Sequence, residues 1–164
     1  MTLRRAHAAN AADGARLAAL AQWVWLDSYA PDGVEGRFLP YLAEAFTPPA
    51  FERLLADAGR QLWLIEDGAA LQGFAQLRRD APAPVAGGPC VELERLYVAP
   101  PCTGRGLGRR LLAAAREGGA LWLSVWIGNE GAQRFYRREG GAVIGETDFI
   151  LDGEAHRNLV FAFA

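Results

Sequence analysis

The segment Glu92–Arg110, ELERLYVAPPCTGRGLGRR, limits the possible folds more than any other part of the chain. Its apolar beginning predicts a buried strand over Val91–Val98, and a helix is expected to start at Leu107. A strand that leads through a glycine loop into a helix leaves several backbone N–H groups unpaired and directs them at one point. Such groups favour an anion, and phosphate above all. The loop has three glycines: Gly104, Gly106 and Gly108.

Glycine lets the backbone come close to a ligand, because no Cβ is in the way. A glycine-rich loop is nevertheless weak evidence when it stands alone, and an ordinary strand-to-helix turn explains it equally simply. The rest of the chain has to decide between these two interpretations.

The composition is that of an ordinary globular protein, with 51% hydrophobic and 22% charged residues. A length of 164 residues is most simply one domain, 1–164. The net charge of -2 creates no field toward nucleic acid or anionic membranes, so neither is expected as a partner. All 17 basic residues are arginine. A Walker-type nucleotide loop needs a lysine, so the nucleoside triphosphatase class is excluded.

The two cysteines, Cys90 and Cys102, match no metal-ligand spacing and are expected to be free thiols in a reducing compartment. No metal site is therefore predicted. The N-terminus lacks a signal-like apolar region, and no apolar run approaches the length of a membrane span. These features predict a cytoplasmic protein.

Periodicity and turn signals predict the order strand, helices, hairpin, strand, helix, strand, helix, hairpin. Asn10 is placed to cap the first helix, which runs to about Tyr29, and Pro48-Pro49 breaks a second helical region. Two Asp-Gly pairs predict tight hairpin turns. The predicted strands are Leu3–Ala6, Gln61–Glu66, Leu71–Arg78, Val91–Val98, Ala120–Trp126, Ala142–Leu151 and His156–Phe163, and the later helices are Phe51–Ala58, Leu107–Glu117 and Gly131–Glu139.

This alternation favours an α/β fold with helices on both faces of a mixed sheet. At its middle, a strand, the helix from Leu107 and the strand Ala120–Trp126 form a βαβ-like unit. Ligands of such sheets bind beyond the carboxyl ends of the strands, which is where the glycine loop lies.

Two motifs in this context resemble the GNAT superfamily of N-acetyltransferases. The family's pyrophosphate loop has the pattern Gln/Arg-x-x-Gly-x-Gly/Ala, and here TGRGLG follows a family-like LERLYV. The later pattern Asn-x-x-Ala-x-x-Phe-Tyr is intact as Asn129, Ala132, Phe135 and Tyr136. The chain's end is similar, more weakly, to a branch with polyamine and small-amine acetyltransferases. The chain departs from the family pattern at Thr103, in a short helix that ends before Gly118-Gly119, and at Gly141 in place of a common phenylalanine.

The resemblance implies a GNAT-like fold: a mostly antiparallel sheet of about six or seven strands, about four flanking helices, and a cleft for acetyl-CoA between two splayed central parallel strands. It also implies that the glycine-loop amides hold the pyrophosphate and that the pantetheine arm pairs with the strand before the loop. The amide of Leu96 would polarise the thioester carbonyl. The implied cofactor-binding residues are Leu96, Tyr97, Val98, Thr103, Gly104, Arg105, Gly106, Leu107, Gly108, Arg109, Asn129 and Tyr136. For Asn129, capping the following helix is an equally good explanation.

Three residues are predicted to be catalytic. Tyr136 is the expected acid for the departing thiolate. Glu92 and Glu94 are the candidate bases for the amine, and Glu92 is preferred, since it aligns with the base of the histone-acetylating branch. Both glutamates alternate with Leu93, so they are expected on the same face as Leu96, with Arg95 on the opposite face. An ion pair to Arg95, Arg78 or Arg79 is the alternative role of either glutamate.

The predicted function is direct transfer of an acetyl group to a primary amine of a small molecule or peptide. The alternative is a domain of the same fold that binds or senses acyl-CoA without catalysis. The identity of the acceptor cannot be read from the sequence, and a homodimer is possible. His7 and His156 have no partners at a meaningful spacing and are expected at the surface.

Overall fold

The computed structural model describes residues 1–8 and 10–164. In this part of the chain, seven strands form one sheet in the order β1-β2-β3-β4-β5-β7-β6. The strands are β1 (Thr2–Arg5), β2 (Arg60–Asp67), β3 (Ala70–Arg78), β4 (Glu92–Val98), β5 (Leu121–Trp126), β6 (Ala142–Leu151) and β7 (Glu154–Phe163). Only β4 and β5 are parallel, and all other neighbours are antiparallel. The predicted α/β class and mixed, mostly antiparallel sheet are confirmed.

Five α-helices lie in the described part of the chain: α1 (Ala11–Tyr29), α2 (Leu39–Ala45), α3 (Pro48–Ala56), α4 (Leu107–Ala115) and α5 (Glu130–Arg138). The second helical region is thus two short helices. Pro48 does more than interrupt a helix, since it is the first residue of α3. Proline is tolerated at this position because the N–H of the first helical residue has no hydrogen-bond partner within the helix, so its absence costs nothing. Thr47 caps this helix by accepting a hydrogen bond from the Ala50 N–H.

The turn between β6 and β7 is the two-residue turn that its sequence predicts. Leu151 pairs with Glu154, and both turn residues have positive φ, +51° for Asp152 and +75° for Gly153. Two positive φ values define the turn type whose twist matches that of the flanking strands. This hairpin carries β6 along one side of the site described below.

The core has two layers, one on each face of the sheet. On one face, α4 and α5 pack over β3, β4, β5 and β7 around Leu107, Leu111, Tyr136 and Phe161. On the other face, α1, α2 and α3 cover the sheet around Leu17, Trp25, Phe46 and Phe74. The first helix buries the stripe that its periodicity predicts, with Leu17, Leu20 and Ala21 all buried.

The two parallel strands separate almost as soon as they pair. They share one register pair, Glu92 with Trp122, and the Trp122 N–H donates to the Val91 carbonyl at 2.9 Å. Beyond this point β4 continues beside β3, while β5 follows β7 as far as Trp126. The splayed central strands that the sequence predicts are therefore present.

A β-bulge in β4 corrects the predicted arrangement of its side chains. Gln76 pairs with Arg95 but Leu77 pairs with Leu93, so Glu94 is an extra residue on β4. The extra residue inverts the alternation. Leu93 and Leu96 both face α4, whereas Glu92, Glu94 and Arg95 all face the pocket on the other side. The expectations that the glutamates share the face of Leu96, and that Arg95 lies opposite them, are wrong.

The glycine at position 141, where the family commonly has phenylalanine, does not leave a hole. A Cβ on Gly141 would lie 2.8 Å from the ring of Phe163 and 3.0 Å from the Tyr136 carbonyl oxygen. Phe163 is buried and its ring centroid lies 6.3 Å from that of Tyr136. A phenylalanine from β7 therefore fills the space at the end of α5.

The close contact of β3 with β4 predicts the effect of Gly73→Ala. The new Cβ would lie 2.7 Å from the Tyr97 carbonyl oxygen and 3.1 Å from Leu111 Cδ1. Because a backbone atom of a central strand cannot move away cheaply, we expect a loss of about 1–3 kcal/mol in the free energy of unfolding. Urea denaturation followed by circular dichroism measures it.

The matched control is Gly118→Ala, because a Cβ at Gly118 meets nothing within 4 Å. Its effect should stay within about 0.5 kcal/mol, as for most surface substitutions. Equal losses in the two variants would contradict the close approach of β3 and β4.

Candidate active site

A pocket of about 370 Å³ opens where β4 and β5 separate. Its size is typical of sites for small molecules. β4 and β5 form the floor, α1 and the segment 37–41 form one wall, and the β6–β7 hairpin forms the other. The lining residues are Trp25, Tyr29, Arg37, Phe38, Tyr41, Glu92, Glu94, Arg95, Tyr97, Ser124, Trp126, Phe149, Leu151, His156 and Asn158.

A continuous row of aromatic rings lines this pocket. The ring centroid of Trp25 lies 5.0 Å from Tyr29, 5.2 Å from Phe38 and 5.5 Å from Tyr41. The ring centroid of Tyr41 in turn lies 5.8 Å from that of Phe149 in β6. At these spacings and at tilted or edge-on angles, the rings stabilise one another and give the pocket a rigid apolar wall.

Trp25 and Tyr29 are four residues apart, so the helical period of α1 already places them on one face. Of the two tryptophans that cannot share a face, Trp25 lines the pocket and Trp23 is exposed. The contributions of Tyr41 and Phe149 could not be found from local sequence, because they come from distant segments.

Glu92 is the carboxylate of this pocket that has no cationic partner. It is half-buried, and in the described part of the chain no arginine or histidine nitrogen lies within 4.0 Å of it. Burial raises the pKa of its carboxyl above the ordinary value, and the Glu94 charge adds to the rise, while Arg78, Arg60 and Arg95 partly oppose it. A carboxylate in this state is suited to accept a proton.

Glu94 is held in a network instead. Arg60 forms an ion pair with its carboxylate, and the Gln76 amide donates to the same oxygen. Gln76 is buried and accepts a hydrogen bond of 2.7 Å from Arg95. The arginine partner of Glu94 is thus Arg60 and none of the three that the sequence suggested.

Tyr136 lies on the other face of the sheet, buried among Phe135, Phe161 and Phe163. Burial raises the pKa of its phenol, and the nearby Tyr29 phenol adds to this effect. The hydroxyl therefore stays protonated at neutral pH and is a hydrogen-bond donor.

Asn129 caps α5. Its side-chain oxygen accepts the Ala132 N–H at 3.0 Å. This is the structural role that the sequence left open beside cofactor binding. The same side chain also lies next to Tyr29, where it partly offsets the rise in the pKa of that phenol that burial causes.

The glycine loop has the geometry of an anion cradle. Gly104 and Gly106 have φ values of +74° and +78°, and Gly106 precedes α4 without a side-chain cap. Among the described residues, no acceptor takes the N–H groups of residues 104–109, and the first such bond is from Arg110 N–H to the Gly106 carbonyl at 3.1 Å. Gly108 packs against Phe135, where a Cβ would lie 3.4 Å from the ring. These unpaired amides at a helix N-terminus fit a pyrophosphate.

The side chains of the loop differ in whether they are free to contact a ligand. The Thr103 hydroxyl donates to the Pro100 carbonyl at 2.9 Å, so it closes the turn before the loop. Arg105 and Arg109 are exposed beside the cradle. Buried Leu107 anchors α4 in the core and thereby fixes the loop to the sheet.

The edge of β4 supplies further unpaired backbone groups. The Ala99 N–H donates to the Gln72 carbonyl at 2.8 Å, and the Tyr97 carbonyl faces Gly73, so both point toward β3. Because successive residues of a strand direct their backbone groups to opposite edges, those of Leu96 and Val98 point toward the gap. An extended ligand arm can pair with them like an added strand.

His156 was expected at the surface, and this is wrong. It lines the pocket opposite Phe149, and its Nε2 is buried with no hydrogen-bond partner among the described residues. The prediction failed because a position beside a hairpin turn was taken as exposed, whereas the hairpin folds over the pocket. His7 is exposed, as predicted.

Among residues 1–8 and 10–164, no helix combines the length and apolarity needed to cross a membrane. Within the same residues, no three histidine, cysteine, aspartate or glutamate side chains group as metal ligands would.

Comparisons with known proteins agree with this architecture. Residues 17–141 match the model of the acetyltransferase (GNAT) family. An uncharacterised N-acetyltransferase of Mycobacterium tuberculosis is 34% identical over 114 residues, which cover 66% of this chain and 69% of that protein. A second uncharacterised N-acetyltransferase, from Lactobacillus delbrueckii, is 39% identical over 67 residues, which cover 37% of this chain and only 39% of that protein.

Solved structures show the same fold. The PaiA N-acetyltransferase of Thermoplasma acidophilum, solved in complex with coenzyme A, matches with a TM-score of 0.72 and 19% identity over 99% of this chain and 100% of that one. An acetyltransferase of Thermus thermophilus matches with a TM-score of 0.69 and 21% identity over 99% and 97% of the chains. The family model and the mycobacterial relative, together with this fold, show that the chain belongs to the GNAT acetyltransferase family and is an acetyl-CoA-dependent N-acetyltransferase.

Proposed function

We propose that the chain acetylates the primary amine of a small molecule or peptide by direct attack, with both substrates bound together. The observation that carries this proposal is the position of Glu92, an unpaired, half-buried carboxylate in a pocket that opens into the gap between β4 and β5. A covalent enzyme intermediate would need an activated nucleophile. Of the two cysteines, Cys90 is exposed, and neither lines the pocket.

The cofactor would lie in the gap between the strands. The N–H groups of residues 104–109 would hold the pyrophosphate, with the exposed Arg105 and Arg109 near the ribose phosphate. The pantetheine arm would pair with the backbone around Leu96 and Val98, while Tyr97 anchors this strand with its side chain. When bound, acetyl-CoA supplies the activated acetyl group as a thioester. The Leu96 N–H would then stabilise the negative charge that develops on the carbonyl oxygen.

Glu92 would serve as the base. An amine is mostly protonated at neutral pH, and only its free form is a nucleophile. A raised pKa makes Glu92 a better proton acceptor than an ordinary surface glutamate. Glu94 is the weaker candidate, because Arg60 and Gln76 already occupy its oxygen.

Tyr136 would donate a hydrogen bond or a proton to the departing thiolate. A thiolate of ordinary pKa, about 8.5, can accept from a phenol that stays protonated. The aromatic cluster around Tyr136 keeps water from its ring, and its hydroxyl would lie at the gap. Asn129, which caps the same helix, holds the tyrosine in place through the start of α5.

The direct test is a screen for release of free CoA with a panel of polyamines, aminoglycosides, amino acids and peptides. Transfer to at least one amine, with the acetylated product seen by mass spectrometry, is expected. A protein that binds acetyl-CoA but transfers to none of the panel would favour the alternative of an acyl-CoA-binding domain.

Gly106→Ala is expected to weaken CoA binding. An alanine at φ +78° costs about 1–2 kcal/mol of backbone energy, so the loop would shift away from its cradle geometry. This corresponds to a loss of roughly tenfold in CoA affinity, which isothermal titration calorimetry measures. Gly87→Ala is the control, since its φ of +76° carries a similar cost in the segment that leads into β4, at the opposite end of that strand from the loop. A normal CoA affinity of the Gly106 variant would remove the loop from the binding site.

Tyr136→Phe is expected to lower kcat by roughly 100-fold, the lower range for loss of a general acid. The affinity for CoA should not change, and neither should the stability, because no hydrogen bond within the described residues uses the hydroxyl. Stopped-time assays of acetylated product and calorimetry of CoA binding provide the two measurements. Normal turnover would exclude Tyr136 from the chemistry.

Glu92→Gln tests the base through pH. A base works only when deprotonated, so the rate of the native protein falls as pH decreases through the pKa of Glu92, which lies above the usual 4.3 of glutamate. The variant should lose this acidic limb of the kcat/KM profile and regain part of its activity at high pH, where more of the amine is free.

Glu94→Gln serves as the comparison for that profile. It removes the partner of Arg60 but should keep the acidic limb. If the limb disappears in the Glu94 variant and persists in the Glu92 variant, Glu94 is the base. A loss in the Glu92 variant that is the same at every pH would indicate misfolding.

A further inference from the structure

Two charged side chains of the pocket lack a partner of opposite charge, and both project from β4. Glu92 has none among the described residues, as shown above. Arg95 is half-buried, and its guanidinium donates to the neutral amide of Gln76 and lies 5.2 Å and 5.9 Å from the ring centroids of Phe46 and Phe51. In the part of the chain that the structure describes, no carboxylate lies within 4.0 Å of Arg95.

The other charges that line the pocket are already matched. Arg60 pairs with Glu94, and Arg37 pairs with Glu35 at 2.9 Å and with Glu154 at 3.5 Å. A bound molecule therefore meets one uncompensated negative charge and one uncompensated positive charge. A half-buried charge without a partner is costly, so a ligand that supplies both partners gains the most.

The β-bulge brings these two charges together. If the same sequence paired with β3 without a bulge, strict alternation would point the side chain of Arg95 to the α4 face, away from Glu92. With the bulge, both line the same 370 Å³ pocket. They are more than 4.0 Å apart, yet close enough for the Arg95 charge to lower the pKa of Glu92. A ligand that carries both an ammonium and a carboxylate would supply the partner that each of them lacks.

The remaining wall is aromatic. Trp25, Tyr41 and Phe149 form a row of rings whose neighbouring centroids are 5.5 Å and 5.8 Å apart, and Phe149 stands at the pocket's mouth with 38% of its surface exposed. Such a wall favours a ring of the ligand by stacking and by burial of apolar surface. A long flexible polycation would place its second ammonium near Arg95, which would repel it.

Resting on the function proposed above, we propose that the acceptor is an α-amino acid with an aromatic side chain. Its ammonium lies at Glu92, its carboxylate at Arg95, and its ring against Trp25, Tyr41 and Phe149. Glu92 takes one proton from the ammonium, the free amine attacks the thioester carbonyl, and the C–S bond breaks as the N–C bond forms. The thiolate takes a proton from Tyr136, and the second proton of the attacking nitrogen passes to the resulting phenolate. The products are an N-acetyl amino acid and CoA, with the first proton left on Glu92.

The test compares four acceptors with the purified full chain and acetyl-CoA. L-phenylalanine has the amine, the carboxylate and the ring. Of the other acceptors, 2-phenylethylamine lacks the carboxylate and L-alanine lacks the ring. The fourth, 1,4-diaminobutane, lacks both the carboxylate and the ring and has a second amine. Each missing contact is expected to lower kcat/KM by at least about tenfold, which corresponds to about 1.4 kcal/mol. An equal or higher value for 2-phenylethylamine, L-alanine or 1,4-diaminobutane than for L-phenylalanine would overturn the proposal.

Arg95→Met tests the carboxylate contact. The methionine side chain removes the charge but should still cover the rings of Phe46 and Phe51, as the apolar stem of the arginine does. The variant should lose the preference for L-phenylalanine over 2-phenylethylamine. Arg53→Met is the matched control, because Arg53 is an exposed residue of α3 that does not line the pocket, and it should keep the preference. Loss of activity toward both acceptors alike in the Arg95 variant, with normal thermal stability, would contradict a role in carboxylate binding.

A second pair of variants tests the proposed contact between Phe149 and the ring of the ligand. Phe149→Ala should lower kcat/KM for L-phenylalanine but not for L-alanine, whereas Ile150→Ala, on the exposed neighbouring residue, should change neither. An equal loss for both amino acids in the Phe149 variant would overturn the placement of the ring.

Calorimetry of L-phenylalanine in the presence of CoA separates this proposal from the one it rests on. Transfer to other amines without binding or acetylation of L-phenylalanine would leave the proposed function intact and overturn the inference. Binding of L-phenylalanine that Arg95→Met abolishes, together with no transfer to any amine, would support the pocket assignment and overturn the catalytic proposal.

Discussion

The site depends on the early separation of the two parallel strands. Glu92 and Trp122 form the single register pair of β4 and β5, so the rest of the facing edges lacks the hydrogen bonds that a continuous sheet would provide. Unpaired backbone groups inside a sheet are costly unless water or a ligand satisfies them. The gap is held open because each strand has a strong partner on its outer side, β3 for β4 and β7 for β5. The centre of the sheet thus has unpaired strand edges, and they lie between the glycine loop and the pocket.

The β-bulge at Glu94 determines which chemistry reaches this gap. A regular strand would place Arg95 with Leu93 under α4, where a guanidinium would have to be buried among apolar side chains, and would turn Leu96 to the pocket. The extra residue turns Arg95 to the pocket side, where Gln76 and two phenyl rings receive it. It also leaves Glu92 and Glu94 in different surroundings. Arg60 forms an ion pair with the second of these carboxylates, whereas burial raises the pKa of the first.

The glycine loop, the Asn129 motif, the hairpin turns and the succession of strands and helices along the chain could all be predicted, because each depends on residues close together in the sequence. Turn residues, caps and periodicity act within a few positions, and the family resemblance added the splayed strands. The consecutive charged residues Glu94 and Arg95 interrupt the alternation of ELERLYV, but only the pairing with β3 identifies Glu94 as an extra residue. Arg60 could not be predicted as a partner either, since it lies 34 residues before Glu94. His156 was misplaced because the path of the hairpin over the pocket is a tertiary feature.

Neighbouring parts of the structure compensate for the departures from the family pattern at Gly141 and Thr103. This explains how the site keeps its shape although the usual family residues are missing at these positions. Phe163 of β7 fills the space at Gly141, so the end of α5 and with it Tyr136 remain packed. Thr103 has no side chain that can reach a phosphate, because its hydroxyl closes the turn at Pro100. The loop instead relies on backbone amides whose direction is fixed by two left-handed glycines and by Leu107 in the core. Backbone groups carry no sequence signature of their own, so a cradle of this kind is recognised through the residues that set the backbone's shape.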